Sequence, residues 1–221
     1  MKKIMFNDKY ELTKAVLEGR KTITRRVVSM HDYKYGFQVW YDIVSKKYWG
    51  CDGDENFIVE RSQYSKGEVV AVAQSYRDIN ERGIVQFKPT LEPDGMIYGD
   101  NMRQVIWAEN HAGWNNKMFV KSELMPHHIK ITNIRVERLQ DISNEDCLKE
   151  GVVKNTIGYY VEGIICKNWE KESHVEMENG DTLKLFPTPR ESFAALIDKV
   201  SGKGTWESNP YVWVYEFELT D

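Results

Sequence analysis

The chain has 221 residues, 41% hydrophobic, 12% aromatic and 29% charged, with a formal net charge of −4. That is the composition of an ordinary globular protein long enough to bury a core. It excludes the broadly basic surface on which charge-driven nucleic-acid binding rests.

Positive charge is nevertheless focused at the start: Lys2, Lys3, Lys9, Lys14, Arg20, Lys21, Arg25 and Arg26 face only Asp8, Glu11 and Glu18. The opening MKKIMFNDKY has no apolar run behind its lysines, so neither a signal peptide nor a membrane span is expected. Cys51, Cys147 and Cys166 are widely and irregularly spaced. They fit neither a zinc site nor a disulfide framework, and a cytoplasmic location is expected. No cofactor is expected.

The first helix is predicted in FNDKYELTKAVLEG, with Asp8 as its cap, Glu11 completing a capping box and Gly19 as the stop. GRKTITRR, residues 19–26, follows. Residues 31–61 alternate aromatic, polar and glycine positions and read as strands, reversing at Lys46–Lys47 and Asp52–Asp54. YSKGEVVAVAQSY feeds the apolar run Val69–Ala73, read as a buried strand. EPDG at 92–95 marks a turn, and Asn179–Gly180 between HVEME and DTLKLF marks a hairpin.

Two later helices carry stronger signals. DISNEDCLKEG has Ser143 as cap, Asp146 three residues on and Gly151 as stop. TPRESFAALIDKVSGKG has Thr188 as cap, Pro189 at the first position and Glu191 in the box, with Phe193, Leu196, Ile197 and Val200 as its buried face. The chain closes with YVWVYEFEL, a strand placing Tyr211, Trp213, Tyr215 and Phe217 on one face. Together these elements predict one α+β domain over 1–221, a closed or half-closed β-barrel with peripheral helices and inserted hairpins at about 31–61 and 156–187.

Read from the residues alone, Lys21 is a solvated loop charge and Thr22–Thr24 an ordinary β-branched strand. Arg25 and Arg26 alternate in direction if that strand is extended. His127–His128 lacks a third ligand at metal spacing, so no metal site is expected. Trp206 is read either as a stacking residue or as core.

Three separated pieces resemble one family. LEGRKTITRR, YSKGEVVAVAQSY, and IKITNIRVERLQDISNEDCLKEGV with the later NPYVWVYEFEL are similar to the ASCH domain of the PUA-like superfamily of small β-barrels, in its longer phage and prophage form. The family's G-x-K-x-x-T-x-R signature is met by Gly19, Lys21, Thr24 and Arg26. The resemblance implies binding of nucleic acid, RNA included, or of a modified nucleobase or nucleotide, in a pocket between 19–26 and the strand ending at Gln74. Lys21 and one of Arg25 or Arg26 would hold phosphate or a base carbonyl, Thr24 and Gln74 would bond the base, and Trp206 would stack. Lys21→Ala would then weaken binding with the fold intact.

A compact branch of the family hydrolyses the amide of N4-acetylcytidine with a lysine and threonine of this motif and a later glutamate. The resemblance therefore also implies an alternative, an amidohydrolase with Thr24 as nucleophile and Lys21 as base. Here Gln74 stands at the acid's place, and an amide shuttles no proton. Lys21 and Thr24 would also need a bend to meet, since residues three apart in a straight strand face opposite ways. A further alternative is a phage accessory protein, acting in the host cytoplasm, that binds a host protein through 156–187 with Tyr159, Tyr160 and Trp169.

Overall fold

The apolar runs of the sequence become strands, and the caps become helix starts. In the computed structural model, residues 1–28, 37–44, 47–52, 58–81 and 113–220 are described. Chain order begins with β1 (Lys3–Ile4), α1 (Leu12–Leu17), β2 (Ile23–Val27), β3 (Phe37–Asp42), β4 (Lys47–Asp52), β5 (Ile58–Arg61), β6 (Val69–Val72) and α2 (Tyr76–Glu81). It continues with β7 (His128–Arg138), α3 (Asn144–Lys149), β8 (Val153–Asn155), β9 (Gly158–Tyr160), β10 (His174–Glu176), β11 (Thr182–Lys184), α4 (Pro189–Val200), α5 (Thr205–Ser208) and β12 (Tyr211–Leu219).

The chain is mixed α+β. The strands β1 and β6 lie side by side, as do β7, β12 and β2 in that order. Among the described residues no closed barrel is formed. No described helix is long and apolar enough to cross a membrane. The chain divides into two compact units, Met1–Phe6 with Val69–Ile129 and Thr220–Asp221, and Asn7–Glu68 with Lys130–Leu219.

In the first unit β1 runs parallel to β6, Lys3 opposite Ala71 and Ile4 opposite Val72. Val70, Ala71, Val72 and Ala73 are wholly buried, as an uninterrupted apolar strand should be, while Val69 is exposed. Ser75 and Asp78 cap α2 reciprocally: Asp78 N–H donates to Ser75 Oγ at 3.2 Å and Ser75 N–H to Asp78 Oδ2 at 3.0 Å. The Lys3 ammonium gathers the carbonyls of Lys117, Met118 and Val120 at 3.0, 2.7 and 2.8 Å. The EPDG turn lies outside the described residues.

In the second unit β2 pairs antiparallel with β12, Arg25 opposite Val214. β12 buries both faces, Val212 and Val214 on one, Trp213, Tyr215 and Phe217 on the other. The strands expected within 31–61 form the antiparallel meander β3-β4-β5, Trp40 opposite Trp49 and Tyr41 opposite Tyr48. Lys46, Gly53 and Asp54 of the expected reversals lie outside the described residues. The Asn179–Gly180 hairpin joins β10 to β11, with Gly180 at φ 88.

Ser143 and Thr188 cap α3 and α4, accepting from Asp146 N–H at 3.0 Å and Glu191 N–H at 3.2 Å. Two details differ from the sequence pattern. Val200, the last residue of α4, is exposed, because the helix has passed the core by then. Nor does Asp8 cap the first helix. Asn7 caps a 3-10 turn over Asp8–Tyr10, Glu11 adopts a left-handed φ of 49, and α1 starts only at Leu12. That break in the backbone prevents the Asp8–Glu11 box, and the Asp8 carboxylate instead accepts from Thr13 Oγ1 at 2.5 Å.

Asn209, at φ 44, turns the chain into β12. Its Oδ1 accepts from Gln140 N–H at 2.8 Å and its carbonyl from Arg138 Nη1 at 3.2 Å. Asn209→Val places a β-branched residue in a left-handed conformation and removes that acceptor, so it should cost about 2 kcal/mol in urea unfolding. Asn209→Gly should lose about half of that. Equal losses would remove the backbone explanation.

The loop before β10 hangs on one carboxylate. Glu172 accepts from the N–H of Lys167 and of Asn168 at 3.1 and 3.3 Å and pairs with Lys184. The Lys184 bond and these amides hold its pKa down at about 2, against an ordinary 4.5. A depressed folded-state pKa means the anchoring is complete above the unfolded value and is lost as pH falls through the folded one. The Lys167 and Asn168 amide resonances should therefore titrate together with a midpoint near 2. A midpoint at 4.5 would mean that the carboxylate is not held.

Candidate functional site: a buried charge cluster and a buried glutamine

The turn after α1 feeds a lysine inward. Gly19, at φ 72, ends the helical turn, and Lys21 N–H donates to Ala15 O at 2.9 Å while Thr22 N–H donates to Lys149 O at 3.0 Å. These bonds lay the segment against the end of α3. Gly151 allows the approach: a Cβ there would meet Leu12 Cδ2 at 3.0 Å, and its φ of 107 suits no side chain.

Lys21 is consequently only 2% exposed. Its Nζ donates to Ile23 O at 2.8 Å, Glu150 O at 2.8 Å and Glu150 Oε2 at 2.5 Å. Burial pushes its pKa below the ordinary lysine value, and the Glu150 carboxylate pulls it back up. Three acceptors call for three N–H donors, which ammonium has and a neutral amine lacks. The site is therefore built around the charged form.

Arg25, inside β2, extends the cluster. Its Nη1 reaches Glu150 Oε1 at 3.1 Å, its Nη2 reaches Glu137 Oε1 at 2.6 Å and Asp146 Oδ2 at 2.9 Å, and its Nε reaches Glu137 Oε1 at 3.0 Å. Burial works against the guanidinium, but Glu150, Glu137 and Asp146 more than offset it and hold its pKa above the usual value. Arg135 of β7 closes the ring through Glu137 Oε2 at 3.1 Å, Asp146 Oδ2 at 2.6 Å and a bond to Glu216.

The other predicted residues stand elsewhere. Thr24 and Arg26 have the opposite strand parity from Arg25 and lie across from Tyr215 and Trp213 of β12. That face is aromatic: Tyr64 and Tyr215 meet edge to face at 5.2 Å. Burial lifts the Tyr64 hydroxyl to about 12 against the opposing charge of Arg26. The Lys21 amine, for its part, is engaged by Glu150.

Trp206 is half-buried, edge-on to Phe193 at 6.1 Å and under the Arg190 guanidinium at 5.5 Å, so it packs against α4. Among the described residues no group of three His, Cys, Asp or Glu is placed to hold a metal ion.

Gln74 belongs to the first unit and lies just past β6, which stops at Val72 and not at Gln74. It is 2% exposed, and its backbone N–H donates to Met125 Sδ at 3.2 Å. Its side-chain Oε1 has no hydrogen-bond partner among the described residues.

Sequence reasoning missed Glu137 and Glu150 and gave Asp146 only a capping role. Its N–H does go to the cap, but its carboxylate goes to Arg25 and Arg135. The available signal was electrostatic: an arginine inside a buried strand requires acids, and VERLQDISNEDCLKEG supplies them in one run. No family model, curated protein or solved structure matches the chain.

Removing Lys21 strands part of a buried negative charge, so the fold does not stay indifferent to Lys21→Ala. Lys21→Met, which keeps the volume, should cost about 3–5 kcal/mol in denaturant unfolding. Adding Glu150→Gln should recover part of that loss. A Lys21→Met protein as stable as the parent would contradict the charged assignment.

Proposed function

We propose that this chain binds a nucleobase, nucleoside or nucleotide, free or within RNA, on an ASCH-type, PUA-like framework, and that Gln74 reads the base. The observation that carries this is the buried Gln74 oxygen, which meets no donor among the described residues. An unmet buried acceptor costs roughly 1–3 kcal/mol, and a ring imide or exocyclic amine supplies the missing N–H. A glutamine offers the acceptor and donor pair that meets a base edge.

The charge cluster supports recognition through neutral hydrogen bonds. The donors of Lys21 and Arg25 are committed to Glu150, Glu137 and Asp146, so a phosphate at either cation would have to displace a carboxylate. The same commitment supports binding over acyl hydrolysis. An ammonium with its three protons directed at acceptors has no lone pair for Thr24, and a general base needs one. Incubation with N4-acetylcytidine should therefore release no cytidine; turnover that depends on Lys21 would favour the hydrolase instead.

Calorimetric titration with the four common ribonucleosides, N4-acetylcytidine and a short mixed-sequence RNA tests the binding itself. At least one should bind, and Gln74→Met should weaken it about tenfold or more, the loss of one well-made hydrogen bond in a buried site. Because it removes an unmet acceptor, the same variant should be at least as stable as the parent. Absence of binding to every probe, or binding indifferent to Gln74→Met, would overturn the reading.

A further inference from the structure

The segment 156–187 carries a large apolar side chain that the core does not use. Trp169 is 71% exposed, yet the loop bearing it is tied. Lys171 N–H and Glu172 N–H both donate to Asn168 O, at 3.1 and 2.8 Å. The Glu172 carboxylate accepts from the amides of Lys167 and Asn168 and pairs with Lys184 of β11. The loop closes on itself on both sides of Trp169, leaving the indole at its tip.

We propose that Trp169 is an anchor for a protein partner, and that this partner offers an apolar pocket rimmed by basic side chains. A tryptophan held in place before binding loses little further freedom on docking, which is why such residues dominate interface energies. The charge around it selects the occupant. Residues 156–187 contain six acids against three lysines; Glu170, Glu176, Glu178 and Asp181 are exposed, against exposed Lys167 and Lys171, and Cys166 N–H donates to Thr182 O at 2.9 Å, which sets the start of the loop beside the β10–β11 hairpin. One lysine, Lys184, is spent on Glu172. The net negative charge of the segment repels a phosphate backbone, so the indole is a poor platform for nucleic acid. It also repels a second acidic copy of itself. A basic rim is attracted to it, and electrostatic complementarity of that kind sets partner choice.

The test selects a random-sequence peptide library against the full chain, with counter-selection on Trp169→Ala. The enriched peptides should place lysine or arginine beside apolar or aromatic residues and lose affinity as salt is raised. Trp169→Ala should reduce their affinity about tenfold or more, the loss of one hot-spot side chain. Glu172→Gln, which keeps the indole and loosens its loop, should give a smaller loss. Nucleoside titrations should be unchanged in both variants, which separates this proposal from the reading of Gln74. Three results would overturn it: no enriched peptide that depends on Trp169, Trp169-dependent binding of single-stranded RNA, or Trp169-dependent self-association in sedimentation.

Discussion

Two cations buried behind one strand impose the chemistry of the second unit. Lys21 and Arg25 lose most of their hydration on folding, at a cost of several kcal/mol for each ion, and only close carboxylates offset it. The fold supplies these from β7 and from both ends of α3. Glu137 comes from the strand, Asp146 from the first turn of the helix and Glu150 from the residue that caps its end. Arg135 and Glu216 extend the pairing to β12. A network in which Glu137, Asp146 and Glu150 each serve two cations is sensitive to the loss of any one of them. β2, β7, β12 and α3 are thereby held in a single arrangement.

That constraint decides what the basic motif can do. A stretch with a lysine and three arginines invites a phosphate, but a buried ion pair is a poor receptor for one. Lys21 and Arg25 act within the protein, while Arg26, on the opposite face of β2, stands across from Trp213. On the proposed reading, recognition passes to a group whose acceptor is unmet among the described residues, the Gln74 side chain. An amide at that position forgoes proton transfer and retains selectivity for a donor, which fits a binding protein better than a hydrolase.

The local elements were legible in the sequence because local rules govern them. Ser143, Thr188 and Pro189 fixed two helix starts, Asn179–Gly180 a hairpin, and the alternation in YVWVYEFEL a strand. The first helix start was not legible, since Glu11 takes a left-handed conformation that no capping pattern announces. The candidate site was legible in part. Gly19-x-Lys21 marked the segment that carries the two buried cations, but their carboxylate partners lie more than 100 residues away. Periodicity and capping carry no information about contacts of that length. Sequence could place Gln74 at the end of a strand; only the packing around it shows that its oxygen is unmet.

The most direct measurement is the side-chain nitrogen resonance of Lys21, observed by proton–nitrogen correlation above neutral pH. An ammonium held by Ile23, Glu150 and its carboxylate should give a sharp signal with slowed hydrogen exchange, and Glu150→Gln should broaden it. A neutral-amine shift for Lys21, or exchange as fast as that of a surface lysine, would contradict the buried pair and return the lysine to the solvent or to catalysis.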